Sequence, residues 1–113
     1  MTHLKIDYVE FASTELAKSK AFFDRAFGWT FQDYGPDYAA MTNAGLDGGL
    51  QSDPGEAGAL PLIILKADDL EAAETAVTQA GGTITRPIFA FPGGRRFHFR
   101  EPGGNELAVW SET

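Results

Sequence analysis

The sequence predicts an α+β fold made of two βαβββ modules, and three observations carry that expectation. The hydrophobic pattern runs strand, helix, three strands, and then repeats this order after a stretch rich in turn residues. Shifting the first half by 54 positions lays Glu15-Leu16 on Asp69-Leu70, Phe23 on Val77, Gly28 on Gly82 and Tyr8 on Leu62; the later strands match only with a gap. The 113 residues suit one domain and are enough to bury a core. One domain is therefore expected over residues 1–113, with a first module at 1–52, a linker at 53–59 and a second module at 60–113. Were the repeat illusory, a ferredoxin-like βαββαβ sandwich would be the alternative.

Each element has a local reason. Lys5 to Phe11 is rich in β-branched and aromatic residues and predicts a strand. Ser13 or Thr14 then predicts a helix cap, with Glu15 in the first turn. Leu16, Phe23 and Phe27 recur at helical spacing with Phe22 alongside, which predicts a core-facing stripe. Gly28 is placed to end that helix in the left-handed conformation. A strand begins at Trp29-Thr30-Phe31, and two more are expected at Tyr38–Thr42 and Gly48–Gln51, between turn signals at Gly35-Pro36-Asp37 and Asn43-Ala44-Gly45. After the linker, Leu60–Leu65 predicts a buried strand. Asp68 and Glu71 have the spacing of a capping box for a helix carrying Leu70, Ala73, Val77 and Ala80, which Gly81-Gly82 ends. Thr83–Thr85 and Ile88–Phe91 predict strands. Arg95–Arg100 and Glu106–Trp110 predict a hairpin around Glu101-Pro102-Gly103-Gly104-Asn105.

Composition narrows the function classes. There is no cysteine, so disulfides, thiolate metal sites and cysteine nucleophiles are excluded. No apolar run reaches the roughly 20 residues of a membrane helix, and the first residues lack a leader pattern, so a cytoplasmic protein without a membrane partner is expected. The net charge of −7 argues against nucleic acid as a partner. Four of the nine basic residues, Arg86, Arg95, Arg96 and Arg100, fall in one stretch. They could receive a small anion, or they could be a solvated strand face paired with Glu101 and Glu106.

Several stretches then carry a family resemblance: Tyr8-Val9-Glu10-Phe11, Glu15-Leu16, Ser19-Lys20-Ala21-Phe22-Phe23, Phe27-Gly28-Trp29, Asp69-Leu70 through Gly81-Gly82, and above all Phe97-His98-Phe99-Arg100-Glu101-Pro102-Gly103-Gly104-Asn105-Glu106-Leu107. Together they resemble the vicinal-oxygen-chelate superfamily, which includes glyoxalase I, the bleomycin- and fosfomycin-resistance proteins and the extradiol dioxygenases. Glu101 stands where that family usually has Asp. The resemblance implies curved mixed sheets around a pocket, helices outside, and a homodimer. It says little about activity, because the scaffold hosts unrelated chemistries.

Strand alternation then sorts the residues by face. Val9, Phe11, Leu107, Val109, Phe97 and Phe99 are expected to meet the helices. Ile6, Tyr8, Glu10, Glu106, Ala108, Trp110, Arg96, His98 and Arg100 are expected to face the pocket. Metal-dependent relatives place His and Glu ligands at positions that fall here on Tyr8, Leu62, Ala108 and the Gly48-Gly49 region. None of these offers an imidazole or carboxylate, and a phenol with a pKa of about 10 is a poor ligand at neutral pH. No metal and no cofactor are therefore expected, although Glu10, His98 and Glu106 are ligand types that could form a displaced site.

The expected ligand-binding set is Tyr8, Glu10, Arg96, His98, Arg100, Glu106 and Trp110, with Trp29, Tyr34 and Tyr38 as further aromatic candidates. His98 and Glu10 are the candidate catalytic bases. Against this stands a plain ion-pair network or a histidine without chemistry. Three functions follow: a metal-free small-molecule binding protein whose pocket is arginine-bearing on one side and aromatic on the other; a glyoxalase-like isomerase or lyase acting by proton transfer, with Arg96 or Arg100 stabilising an oxyanion; or an interaction module with no ligand.

Overall fold

The computed structural model describes residues 3–56, 58 and 61–113. Met1, Thr2, Ala57 and Ala59 of the expected linker, and Leu60 at the start of the expected fifth strand, lie outside the described residues. The elements run β1 (Lys5–Ala12), α1 (Leu16–Phe27), β2 (Phe31–Asp33), β3 (Tyr38–Met41), β4 (Gly48–Gln51), β5 (Leu62–Lys66), α2 (Leu70–Gln79), β6 (Thr83–Phe91), β7 (Gly94–Arg100) and β8 (Glu106–Ser111). This is the α+β arrangement of two βαβββ modules. The chain divides into two compact units, Tyr8–Leu62 and Ile63–Thr113, the second completed by the N-terminal segment ending at Asp7.

In the unit Tyr8–Leu62 the strand order is β2-β3-β4-β1. β1 and β4 run parallel and the other neighbours antiparallel, with Glu10 opposite Gly49 and Gly49 opposite Ala40. Ala39, Met41 and Leu50 are buried. Phe11 stacks on Phe23 of α1 at 6.4 Å, as the alternation predicts for the helix side of β1. Gly28 closes α1 at φ 74°, donating its N–H to the Asp24 carbonyl.

Two expectations for α1 are corrected. Its N-cap is Glu15, whose side chain makes no cap. The Ser13 hydroxyl accepts from the Glu15 N–H at 3.2 Å and bonds the Ser19 hydroxyl at 2.6 Å, so it shapes the turn before the helix. Nor is the phenylalanine stripe a core. No α1 residue is buried, and Phe22 and Phe27 are 55% and 62% exposed. Phe23 stacks on Phe11 and on Trp29, and Phe27 meets Trp29 at a tilt, 5.8 Å between ring centres.

The unit Ile63–Thr113 has strand order β5-β8-β7-β6, with β5 and β8 parallel. Its core is Ala67, Leu70, Ala73, Phe97, Phe99 and Val109, with Leu4, Leu65, Val77 and Ile84 packed against it. Asp69, not Asp68, caps α2, accepting from the Ala72 N–H at 3.0 Å. Glu71 therefore lies in the first turn and pairs with Arg95 at 2.6 Å instead of closing a capping box. Thr83–Thr85 and Ile88–Phe91 join into the single strand β6, which shifts register on either side of Arg86. β6 is an edge strand of this unit, and an edge tolerates Pro87 because no ladder donor is required there. Gly94 is obligatory: a Cβ there would lie 2.0 Å from the Ser111 carbonyl oxygen.

Candidate functional site

In each unit the helix covers one face of the sheet, and the candidate residues gather on the other. On β7 and β8, Phe97, Phe99 and Val109 are buried with α2, so Arg96, His98, Ala108 and Trp110 take the opposite side. The register lays Ile64, Ala108, His98 and Arg86 in one row across the strands, and Lys66, Trp110, Arg96 and Phe89 in the next.

This face is a cation–aromatic lattice. The Arg86 guanidinium lies 3.6 Å from the Phe89 ring centre, and the Arg96 guanidinium lies 5.3 Å from Phe89 and 5.6 Å from Phe91. His98 sits 5.8 Å from Phe89, and Phe91 sits 6.2 Å from Trp110. Lys66 lies 5.0 Å from the Trp110 ring, whose indole N–H donates to Asp7 at 3.0 Å. Arg96 and His98 are both only 8% exposed. Each stacked guanidinium is worth roughly 0.5–2 kcal/mol. A guanidinium's donors lie in one plane, in the fork geometry that matches carboxylate and phosphate.

The face opposite α1 in the other unit has the opposite chemistry. Glu10 is 6% exposed. The Tyr38 hydroxyl donates to the Glu10 carboxylate at 3.2 Å and is itself in a short hydrogen bond with the Tyr8 hydroxyl. Burial raises the pKa of both phenols, and the nearby Glu10 charge adds to the rise. Gly49 makes the pairing possible. A Cβ there would sit 2.2 Å from the Tyr38 oxygen and 2.6 Å from the Tyr8 oxygen.

The sequence expectations divide accordingly. Tyr8 and Glu10 come together, as do Arg96, His98 and Trp110. Arg100 and Glu106 lie apart from them. Both are exposed at the far end of the β7–β8 hairpin, where they stand opposite each other and Glu106 accepts from the Thr85 hydroxyl at 2.7 Å. Glu101 pairs with no arginine among the described residues. Its carboxylate holds the turn, accepting from Gly103 and Asn105, and these bonds lower its pKa. Ile6 is exposed, as is Tyr34, while Trp29 stacks on α1. Phe89 and Phe91 were not singled out as site residues, Arg86 entered only as a member of the arginine cluster, and Tyr38 only as a further aromatic candidate. Alternation could not place Arg86 and Phe89, because the irregular pairing of β6 hides which face they take.

Two βαβββ modules, each a helix packed on one face of a four-stranded mixed sheet, define a chain of the glyoxalase-like fold class. The chain belongs to the glyoxalase/bleomycin resistance protein/dioxygenase superfamily, whose family model matches residues 5–109. Among solved structures it is similar to a protein described as an NAD-dependent benzaldehyde dehydrogenase from Legionella pneumophila, with a TM-score of 0.76 and 16% identity over 92% of this chain and 96% of that one. It is similar to a member of the same superfamily from Vibrio splendidus 12B01, with a TM-score of 0.74 and 17% identity over 96% and 99%. A Mn(II)-bound glyoxalase from Novosphingobium aromaticivorans matches with a TM-score of 0.68 and 23% identity, over 96% of this chain but 38% of that chain. No curated protein matches in sequence. Among the described residues no helix is long and apolar enough to cross a membrane.

A divalent ion does not fit the residues at the family's ligand positions. Tyr8 is engaged with Tyr38, and both phenols are biased toward the protonated form, whereas a metal ligand must be deprotonated. The space a ligand side chain on Gly49 would need is filled by those two hydroxyls. Leu62 and Ala108 carry no donor. Within its unit, Glu106 lies at the hairpin end and not in the row of His98, and no group of three or more His, Asp or Glu suited to a metal occurs among the described residues.

Proposed function

We propose that this chain is a metal-free small-molecule binding protein of the glyoxalase/bleomycin-resistance type, and that its ligand is a small anion bearing an aromatic or conjugated plane. The observation that supports this reading is the lattice in which Arg86 and Arg96 lie over Phe89 and Phe91 beside His98. Rings there supply stacking area, and the two guanidinium groups supply the positive charge and planar fork that suit a carboxylate or phosphate. A ligand that binds only the folded state stabilises it by about 2.7 kcal/mol at a hundredfold excess over Kd. Benzoate and phenylphosphonate should therefore raise the melting temperature by several degrees, and Arg96→Lys, which keeps the charge but loses the fork, should reduce the shift. A panel of aromatic anions that never moves the melting temperature would sink the reading.

A second reading is an isomerase or lyase working by proton transfer. It is favoured by a buried carboxylate, Glu10, held by a phenol. Glu10 would be the base in its unit, or His98 the base in the other with Arg96 as its oxyanion partner. Turnover that persists unchanged in both Glu10→Gln and His98→Ala would remove these assignments. The same proposal takes the working form to be a cytoplasmic homodimer.

A further inference from the structure

The hydrogen bonds around Glu10 have a direction. An ionised carboxylate only accepts, and a phenol has one hydrogen. The Tyr38 hydrogen goes to Glu10 at 3.2 Å. The hydrogen in the Tyr8–Tyr38 bond must then come from Tyr8. The chain runs Tyr8 to Tyr38 to Glu10, and its outer end is an oxygen that has given its hydrogen away and keeps its lone pairs. The carboxylate at the inner end is buried, while both phenols are half-buried, so a solute meets the chain at a phenol.

We propose that Tyr8, Tyr38 and Glu10, arranged over the bare backbone of Gly49, form a binding site for a hydrogen-bond donor that is preferably cationic, such as the ammonium of a small amine. The Tyr8 oxygen accepts from the ligand, and Tyr38 passes that polarisation to the Glu10 charge. Linked hydrogen bonds strengthen one another in this way. The two tyrosine rings add surfaces that attract a cation. The position that carries a metal ligand in metal-dependent relatives is thereby turned to a different cation, one that brings its own hydrogens. Burial favours the protonated phenols and so maintains the direction of the chain. The site uses residues of one unit only and does not depend on the anion reading above.

Gly49 supplies a clean control. A methyl group there would overlap the Tyr38 hydroxyl with the ring carbon that bears it, and the Tyr8 hydroxyl, all at the far ends of side chains and none of them backbone. Gly49→Ala should part the hydroxyls while the strand pairing survives. The test is a titration of the whole protein with benzylammonium, with benzoate as the opposite charge, followed through the ring resonances of Tyr8 and Tyr38. Benzylammonium should shift both rings saturably, and benzoate should leave them in place. Tyr8→Phe and Gly49→Ala should each weaken benzylammonium about tenfold or more, the loss expected for a hydrogen bond to a charged group. Should Tyr8→Phe fail to fold, Gly49→Ala with Tyr38→Phe reads the same bond. The proposal is overturned by ring shifts with benzoate alone, by no saturable shift with benzylammonium, or by benzylammonium binding that both the Tyr8 and Gly49 variants leave intact.

Discussion

The two units share a βαβββ plan and solve its two problems differently. In Ile63–Thr113 the helix sits on a tight core of small aliphatic side chains and two phenylalanines, with Leu70 and Ala73 of α2 buried. In Tyr8–Leu62 the helix has no buried residue and leans on an aromatic stack through Phe23, Phe11 and Trp29. The faces away from the helices differ as sharply, arginines and histidine on rings in one unit, phenols on a carboxylate in the other. A repeat in the order of elements therefore does not imply a repeat in packing or in charge. Each copy keeps the topology, and the side chains on its two faces diverge independently.

The largest expected effect lies in the tight core. Phe97 is fully buried among Leu70, Ala73 and Val109. Phe97→Ala should cost roughly 3–5 kcal/mol, from lost transfer energy and the cavity left behind. That is a large part of the stability of a domain this size. Urea unfolding measures it. A loss below about 1 kcal/mol would break the distinction between a packed unit and a loosely covered one.

A smaller effect sharpens the contrast between the open faces. The folded Tyr8 and Tyr38 phenols have raised pKa values, while the unfolded chain ionises near the usual 10.0. Below that value both states keep their protons and no pH dependence arises. Above it the unfolded chain releases protons that the folded chain retains, so stability falls as pH rises. Melting temperature should therefore drop through the strongly alkaline range, and Tyr38→Phe should drop less steeply than the parent. Equal slopes would mean that the phenols are not held as the geometry requires.

Much of this was legible in the sequence. The element order, the Gly28 cap, the Glu101 turn and the faces of β7 and β8 follow from periodicity and from residues with few conformational options. The site was half legible. Alternation put Tyr8, Glu10, Arg96 and His98 on the faces away from the helices, where they lie; it fails where a strand is irregular, so it could not place Arg86 and Phe89 on β6. Arg100 and Glu106 share the right face but lie at the hairpin end, and alternation carries no information about depth. The α1 stripe misled most. Helical spacing of Phe22, Phe23 and Phe27 marks a face, but spacing cannot say whether anything covers it.

That uncovered face gives the smallest effect and the last test. Phe22 and Phe27 are exposed and touch mainly each other and their neighbours, at 6.1 Å between ring centres. Within a single chain, Phe22→Ser removes surface that water already reaches, so stability should change by no more than about 0.5 kcal/mol. Burial of this face in the proposed homodimer would change the arithmetic. The substitution would then lower the melting temperature most at high protein concentration, where the parent is dimeric, because association adds stability by mass action. Light scattering and melting curves across concentration, on the parent and on Phe22→Ser, separate the two. A concentration-independent melt in both, with a monomeric mass, would show that the aromatic helix face stands alone. A parent melt that rises with concentration, and a variant melt that does not, would make α1 the seam between copies.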